Sequence, residues 1–175
     1  MTRGLIKFLL SNFTITFFII GLLVSLVAIY WNKKVKTKTF VADILLKYFC
    51  LFAIGITYVY NAVFHIYFHA LAARFIGWED SPFQIEVGTA SFGFGVVGLL
   101  AYRKNFGLRL AAVIGPSIFL LGAALGHVYQ MVANHNFSPG NAGIIFYTDW
   151  LIPVIGFVLL YRSYTFDREQ LIQGC

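Results

Sequence analysis

Long apolar stretches separated by short polar segments make up most of the chain. A helix needs about 20 residues to cross about 30 Å of hydrocarbon, and five stretches are long enough to do so. None of them shows the period-2 alternation that is typical of a membrane β-barrel strand, so the pattern predicts helices. The predicted spans are Leu5–Trp31, Phe40–Ile76, Pro82–Tyr102, Gly107–Ala133 and Ala142–Tyr161.

The composition excludes an ordinary soluble domain. Of the 175 residues, 59% are hydrophobic and 11% are charged, and the mean hydropathy is +0.79. A soluble domain carries about 25% charged residues. Because no internal repeat or long linker divides the sequence, we predict a single all-α transmembrane domain over residues 1–175. Its expected architecture is a four-helix core bundle with an added N-terminal helix.

The distribution of basic residues predicts an orientation in the membrane. The second loop is acidic, with Glu79 and Asp80, and the fourth loop has no Lys or Arg. The positive-inside rule therefore places the first and third loops and the C-terminus in the cytoplasm, for a protein of the inner membrane. Five spans then put the N-terminus in the periplasm, against the charges of Arg3 and Lys7. The basic loop residues are Lys33, Lys34, Lys36, Lys38, Arg103 and Lys104.

Five ionisable side chains within the predicted spans are the candidate functional residues. An ionisable group inside a bilayer is costly and marks a functional site by default. A rise of about 1.5 Å per residue, counted from the predicted span ends, places all of them roughly 6–16 Å below the periplasmic surface. They come from four different spans and form one layer. The residues are His65, His69, Glu86, His127 and Asp149.

These five residues together predict a transition-metal site. His65 and His69 are four residues apart, which places both imidazoles on one helix face, as in many metal sites. With His127 and the two carboxylates they form a set of nitrogen and oxygen ligands. Such a set suits zinc, iron, manganese or copper(II). A b-type haem held by His127 and one of the other histidines is a less favoured variant.

Small residues in two neighbouring spans predict close helix packing. Gly88, Ser91, Gly95 and Gly98 form a seam on the third span, and Gly122 and Gly126 form a similar seam on the fourth. Small side chains allow helices in lipid to approach closely. We therefore expect the third and fourth spans to pack tightly and to bring Glu86 near His127.

A second hypothesis needs no metal. Tyr58 and Asn61 share the stripe of His65 on the second span, and Gln130 accompanies them on the fourth. These residues would suit a pocket for a quinone or a lipid headgroup. Chains of histidine and carboxylate also carry protons in pumps and transporters. The chain would then act in proton- or quinone-linked transport or redox work.

A third hypothesis gives the polar residues a structural role only. They would hydrogen-bond between helices in a non-catalytic subunit of a larger membrane complex or in a homo-oligomer. Phe13, Phe17 and Phe18 of the first span would face lipid or that neighbour. No nucleic-acid partner is expected, since the net charge of +6 comes mostly from the loops that membrane orientation requires to be basic.

One segment resembles a known family. The run Gly-Trp-Glu-Asp-Ser-Pro-Phe-Gln-Ile-Glu-Val-Gly at residues 77–88 is similar to small bacterial multi-pass membrane proteins known only as a domain of unknown function. The similarity extends from about Phe40 to Tyr161 and implies a membrane fold without a defined activity. Residues 86–114 also resemble DoxX-like four-helix membrane proteins, some of which are linked to quinone-coupled redox complexes.

Overall fold

Five membrane-length helical segments form the body of the protein. The computed structural model describes residues 2–33 and 36–173, with side chains as far as Tyr164, and Lys34 lies outside this part. Within it, every regular element is a helix, which confirms the predicted all-α membrane fold. The spanning segments are Phe13–Trp31, Lys38–Tyr67, Phe83–Ala101, Phe106–Asn134 and Pro139–Tyr164.

Some of the spans contain more than one helix. The described residues of loop one (32, 33, 36 and 37) and loop three (102–105) are at the basic end of the bundle. Loop two (77–82) and loop four (135–138) are at the opposite, acidic end. In chain order the helices are α1 (Thr2–Ser11), α2 (Phe13–Trp31), α3 (Lys38–Phe49), a π-helical segment (Cys50–Ile56), α4 (Thr57–Tyr67), α5 (His69–Ile76), α6 (Phe83–Ala101), α7 (Phe106–Asn134), α8 (Pro139–Ala142) and α9 (Ile144–Gln173).

Two breaks in the backbone shorten the first and second spans relative to their predicted lengths. Asn12 (φ −112°, ψ 43°) separates α1 from α2, so the first spanning helix begins at Phe13. Phe68 (φ −120°, ψ 33°) ends α4, and α5 follows as a separate short helix. As a consequence, His69 lies beyond the spanning segment and not within it.

The seam of small residues on α6 faces the second span and not α7. A Cβ atom added at Gly98 would lie 2.6 Å from the backbone nitrogen of Gly55 and 2.9 Å from the carbonyl oxygen of Cys50. One added at Gly95 would lie 2.9 Å from the backbone nitrogen of Val59. Nothing lies within 4 Å of the corresponding position at Gly122. The expectation that these two seams join the third and fourth spans was wrong, because the backbone that α6 touches belongs to the second span.

Apolar side chains and an ion pair fill the basic half of the bundle. Arg109 on α7 donates from Nη1 to Asp43 Oδ1 of α3 at 2.5 Å, and from Nε to the carbonyl oxygen of Ala101 at 3.3 Å. Toward the acidic end, the next buried layer on the same helices is apolar and includes Leu46 and Val113. This half of the bundle is therefore closed by packed side chains.

The close approach of α6 to the second span generates a stability prediction. We expect Gly98→Ala to destabilise the protein by roughly 1–3 kcal/mol, because its methyl group would overlap backbone atoms that cannot move independently. Gly93→Ala on the same helix is the matched control, since nothing lies within 4 Å of its added Cβ. Thermal unfolding in detergent, followed by circular dichroism, measures the difference. Equal midpoints for the two variants would contradict the packing described here.

Candidate functional site

A cluster of buried polar side chains joins the end of α7 to the start of α9. His127 on α7 is 5% exposed and Asp149 on α9 is 3% exposed. Nε2 of His127 lies 3.5 Å from Oδ2 of Asp149. Both residues lie within spanning segments: His127 is about 10 Å from the end of α7 at Asn134, and Asp149 is about 8 Å from the start of α9 at Ile144. This pair is the core of the candidate site.

Asn141 on the short helix α8 fixes the orientation of the His127 ring. Its Nδ2 donates to the carbonyl oxygens of His127 at 3.3 Å and Asn136 at 2.9 Å. Its Oδ1 accepts from Trp78 Nε1 at 3.1 Å, and it lies 2.7 Å from His127 Nδ1. An indole nitrogen can only donate, so the atom that it meets must be the amide oxygen. His127 Nδ1 must therefore carry a proton.

The protonated Nδ1 determines what the other ring nitrogen can do. In a neutral ring, Nε2 then has a lone pair, and a lone pair facing an ionised carboxylate would be repelled. One proton must therefore lie between His127 and Asp149, on Nε2 or on Oδ2. The pair is either imidazolium with carboxylate or imidazole with carboxylic acid. Both forms are neutral overall, which is the state that a low-dielectric membrane interior favours.

Trp78 separates the pair from the acidic end. It lies in loop two, is 38% exposed, and its ring centroid is 5.6 Å from that of His127. The indole thus contacts Asn141 through its N–H group and lies beside the His127 ring at an interplanar angle of 48°.

The two other histidines of the predicted metal site have separate partners. His65 on α4 is buried, and its Nδ1 lies 2.6 Å from Oε1 of Gln84 on α6. His69 on α5 is 49% exposed at its side chain and pairs with Asp80 of loop two at 2.9 Å. The break at Phe68 is the reason that the two imidazoles do not act as one i, i+4 pair.

Glu86 has the predicted depth but lies on the opposite face of α6. The buried face of this helix contains Gln84, Gly88 and Ser91, and Glu86 is exposed. Among the described residues, no group of three or more His, Cys, Asp or Glu side chains could hold a metal ion. The predicted gathering of five ligands in one metal site is therefore not found in this part of the chain. Only His127 and Asp149 form a pair with each other.

The residues predicted to bind a cofactor each have a hydrogen-bond partner of their own. Tyr58 donates its hydroxyl to the carbonyl oxygen of Pro116 at 3.2 Å. Asn61 donates to Ser91 Oγ at 2.9 Å, which joins α4 to α6. Gln130 accepts from Asn134 within α7 at 2.8 Å, in an exposed position. A role for these residues in binding a quinone or another cofactor stays a prediction.

Asn141 and Gln84 are site residues that the sequence analysis missed. Asn141 falls in a segment rich in Asn, Ser, Pro and Gly, a composition typical of a loop. The Ser138-Pro139 pair could have indicated that a helix, α8, begins there, since Pro is favoured at the first position of a helix. Gln84 is spaced four residues before Gly88, which places it on the small-residue seam of α6.

Comparison with known proteins gives one match. A family model described as a family of unknown function (DUF6790) matches residues 11–169. This range includes all five spanning segments and every residue of the candidate site. No curated protein and no solved structure matches the chain.

The position of Asn141 generates a second prediction. Asn141→Ala would leave the buried N–H groups of His127 and Trp78 without an acceptor. An unsatisfied buried polar group costs about 1–3 kcal/mol, so we expect a clear loss of thermal stability in detergent. In nitrogen-15 NMR of labelled histidine, the fraction of His127 rings that carry a proton on Nδ1 should also fall. Asn134→Ala, which removes an exposed amide with a single partner, should change neither measurement, and the same response from both variants would contradict the role of Asn141.

Proposed function

Because the chain belongs to the DUF6790 family, whose function is unknown, we propose its function from the chemistry of its own buried site. The protein takes up and releases a proton at the His127–Asp149 pair. It does so in proton-linked transport or in a proton-linked redox reaction that needs no bound metal. It is a multi-pass protein of an inner membrane, and the acidic end of its bundle faces away from the cytoplasm. The basic residues of loops one and three support that orientation.

The observation that carries this proposal is the contact between His127 Nε2 and Asp149 Oδ2. With Nδ1 fixed as a donor by Asn141, the contact is stable only when it holds one proton. Removing that proton would leave an uncompensated carboxylate in the membrane, at a cost of several kcal/mol. Proton release therefore requires another event at the site, such as the arrival of a cation or the entry of water. This requirement couples proton movement to a second process.

The surroundings of the pair support proton exchange with the acidic end only. Trp78 of loop two, which is 38% exposed, and Asn141 of α8 lie against His127 on the side of the acidic end. Toward the basic end, the bundle is closed by the apolar layer around Leu46 and Val113, and then by the Asp43–Arg109 ion pair. These contacts favour access to the site from the acidic end over a continuous path through the membrane.

A transition-metal site is the competing hypothesis. His127 and Asp149 would supply two ligands, whereas zinc sites in proteins use three or four. His65, His69 and Glu86 would have to leave their present positions to complete the set. The fixed orientation of His127 would also suit a metal ligand, since such histidines donate their other N–H group to an oxygen.

The test of the proposal is a proton titration of the full-length protein in detergent. We expect the wild type to bind one proton more per chain than Asp149→Asn, since the amide cannot take part in the shared protonation. The infrared band assigned to the Asp149 carboxyl group should disappear in that variant. Asp80→Asn is the matched control: it also removes one titratable carboxyl, so its proton count falls as well, but it leaves the buried pair intact and the infrared band of the Asp149 carboxyl should remain. A titration curve that Asp149→Asn and His127→Gln leave unchanged would overturn the proposal.

Elemental analysis of the same preparations separates the two hypotheses. We expect zinc, iron, manganese and copper to be well below one equivalent per chain. A stoichiometric metal that is lost in both His127→Ala and Asp149→Ala would establish the metal site instead. Haem would be detected by its visible absorption in the same samples.

A further inference from the structure

The N-terminal helix α1 has two chemically distinct faces, neither of which packs in the bundle. Arg3, Gly4 and Lys7 lie on one face of the helix, and Leu5 and Leu9 lie on the opposite one. No residue of α1 is buried. Its large apolar side chains remain between 39% and 60% exposed. A second environment outside the described chain must therefore cover the apolar face.

The bend between α1 and α2 is held by specific hydrogen bonds. The last carbonyl groups of a helix lack partners within it. Here the Leu9 carbonyl oxygen accepts from Thr16 Oγ1 at 3.0 Å, and Asn12 Nδ2 donates at 2.9 Å to the Phe8 carbonyl oxygen, which also accepts from the Asn12 backbone nitrogen. The Leu10 carbonyl oxygen accepts from the Tyr60 hydroxyl at 3.0 Å. Because Tyr60 belongs to the second span, the end of α1 is tied to the bundle, and the non-helical backbone at Asn12 separates α1 from α2.

The neighbours of α2 place α1 at the membrane boundary on the acidic side. Thr14, near the start of α2, hydrogen-bonds through its hydroxyl to Thr148 near the start of α9 at 2.8 Å. The start of α2 thus lies beside the fifth residue of α9, within about one helical turn of the N-terminus of that helix. The helix α2 has 19 residues and is long enough to cross about 30 Å of hydrocarbon, whereas α1 has 10 residues and is too short.

We propose that α1 lies in the membrane interface and binds anionic phospholipid headgroups. Its apolar face enters the boundary between headgroups and acyl chains, as in other basic amphipathic helices. Arg3 and Lys7 then face the lipid phosphates, and α1 has no acidic residue to oppose them. This placement also accounts for two cations on the side where the positive-inside rule predicts few. The helix holds them at the surface and not in a loop.

Accessibility of spin labels tests the placement of α1. Gly4→Cys and Leu9→Cys are labelled with a nitroxide, in full-length protein whose Cys50 and Cys175 are replaced by Ser. In vesicles of phosphatidylcholine and phosphatidylglycerol, the label at residue 9 should be more accessible to oxygen, and the label at residue 4 more accessible to a water-soluble nickel reagent. Gly4 tolerates the label, since nothing lies within 4 Å of its added Cβ. Equal accessibility at both positions, or dipolar broadening that shows a second copy against residue 9, would overturn the proposal.

Lipid selection tests the role of the two cations. With spin-labelled phosphatidylglycerol and phosphatidylcholine as probes at low salt, neutralising each interfacial cation should lower the preference for the anionic lipid by up to roughly fivefold, and neutralising both by up to roughly 25-fold. The variant is the double substitution Arg3→Gln and Lys7→Gln. The control is Lys36→Gln with Lys38→Gln, which removes the same charge at the basic end. Only the first variant should also raise the nickel accessibility at residue 9, and identical accessibility in both variants would overturn the role of Arg3 and Lys7.

Discussion

Inside the hydrocarbon layer a polar group finds no water, so each one needs a partner within the protein. The packing of this chain follows that constraint closely. Among the side chains that the structure describes, Ser163 Oγ is the one buried polar atom without a hydrogen-bond partner. Asn141 meets four groups with a single side chain: two backbone carbonyls, an indole and an imidazole. The His127–Asp149 pair depends on these contacts, because they determine which nitrogen of the imidazole is left to share a proton with the acid.

The same constraint governs where the backbone becomes irregular. At the Asn12 break, the carbonyl oxygens of Leu9 and Leu10 accept from side-chain hydroxyls, the second of which belongs to Tyr60 of another span. In the π-helical segment, Thr57 Oγ1 donates to the carbonyl oxygen of Phe52 at 2.8 Å. At the basic end, Arg109 is neutralised by Asp43 and also donates to a backbone carbonyl. Irregular backbone and charge therefore occur where neighbouring side chains complete the hydrogen bonds.

The number and type of the spans could be predicted from the sequence, because a long apolar run has few alternatives to a membrane helix. The grouping of the polar residues could not, because it depends on rotation about each helix axis and on backbone breaks. Glu86 has the expected depth, but the small residues that pack against the second span turn it outward. The break at Phe68 has no Gly or Pro to signal it, so His69 was placed too deep. Asn141 was assigned to a loop, although four residues that begin with a Pro form a helical turn around it.

The π-helical segment Cys50–Ile56 has a consequence for everything that follows it in the second span. A π turn accommodates one more residue than an α turn, and one residue corresponds to a rotation of about 100° around the axis. Tyr58, Asn61 and His65 therefore present their side chains in directions that an uninterrupted α-helix of the same sequence would not give them. The hydrogen bonds that these three side chains make to Pro116, Ser91 and Gln84 therefore all depend on the π-helical turn that precedes them. Loss of one residue from that turn would rotate the whole polar stripe away from α6 and α7 while leaving its spacing intact.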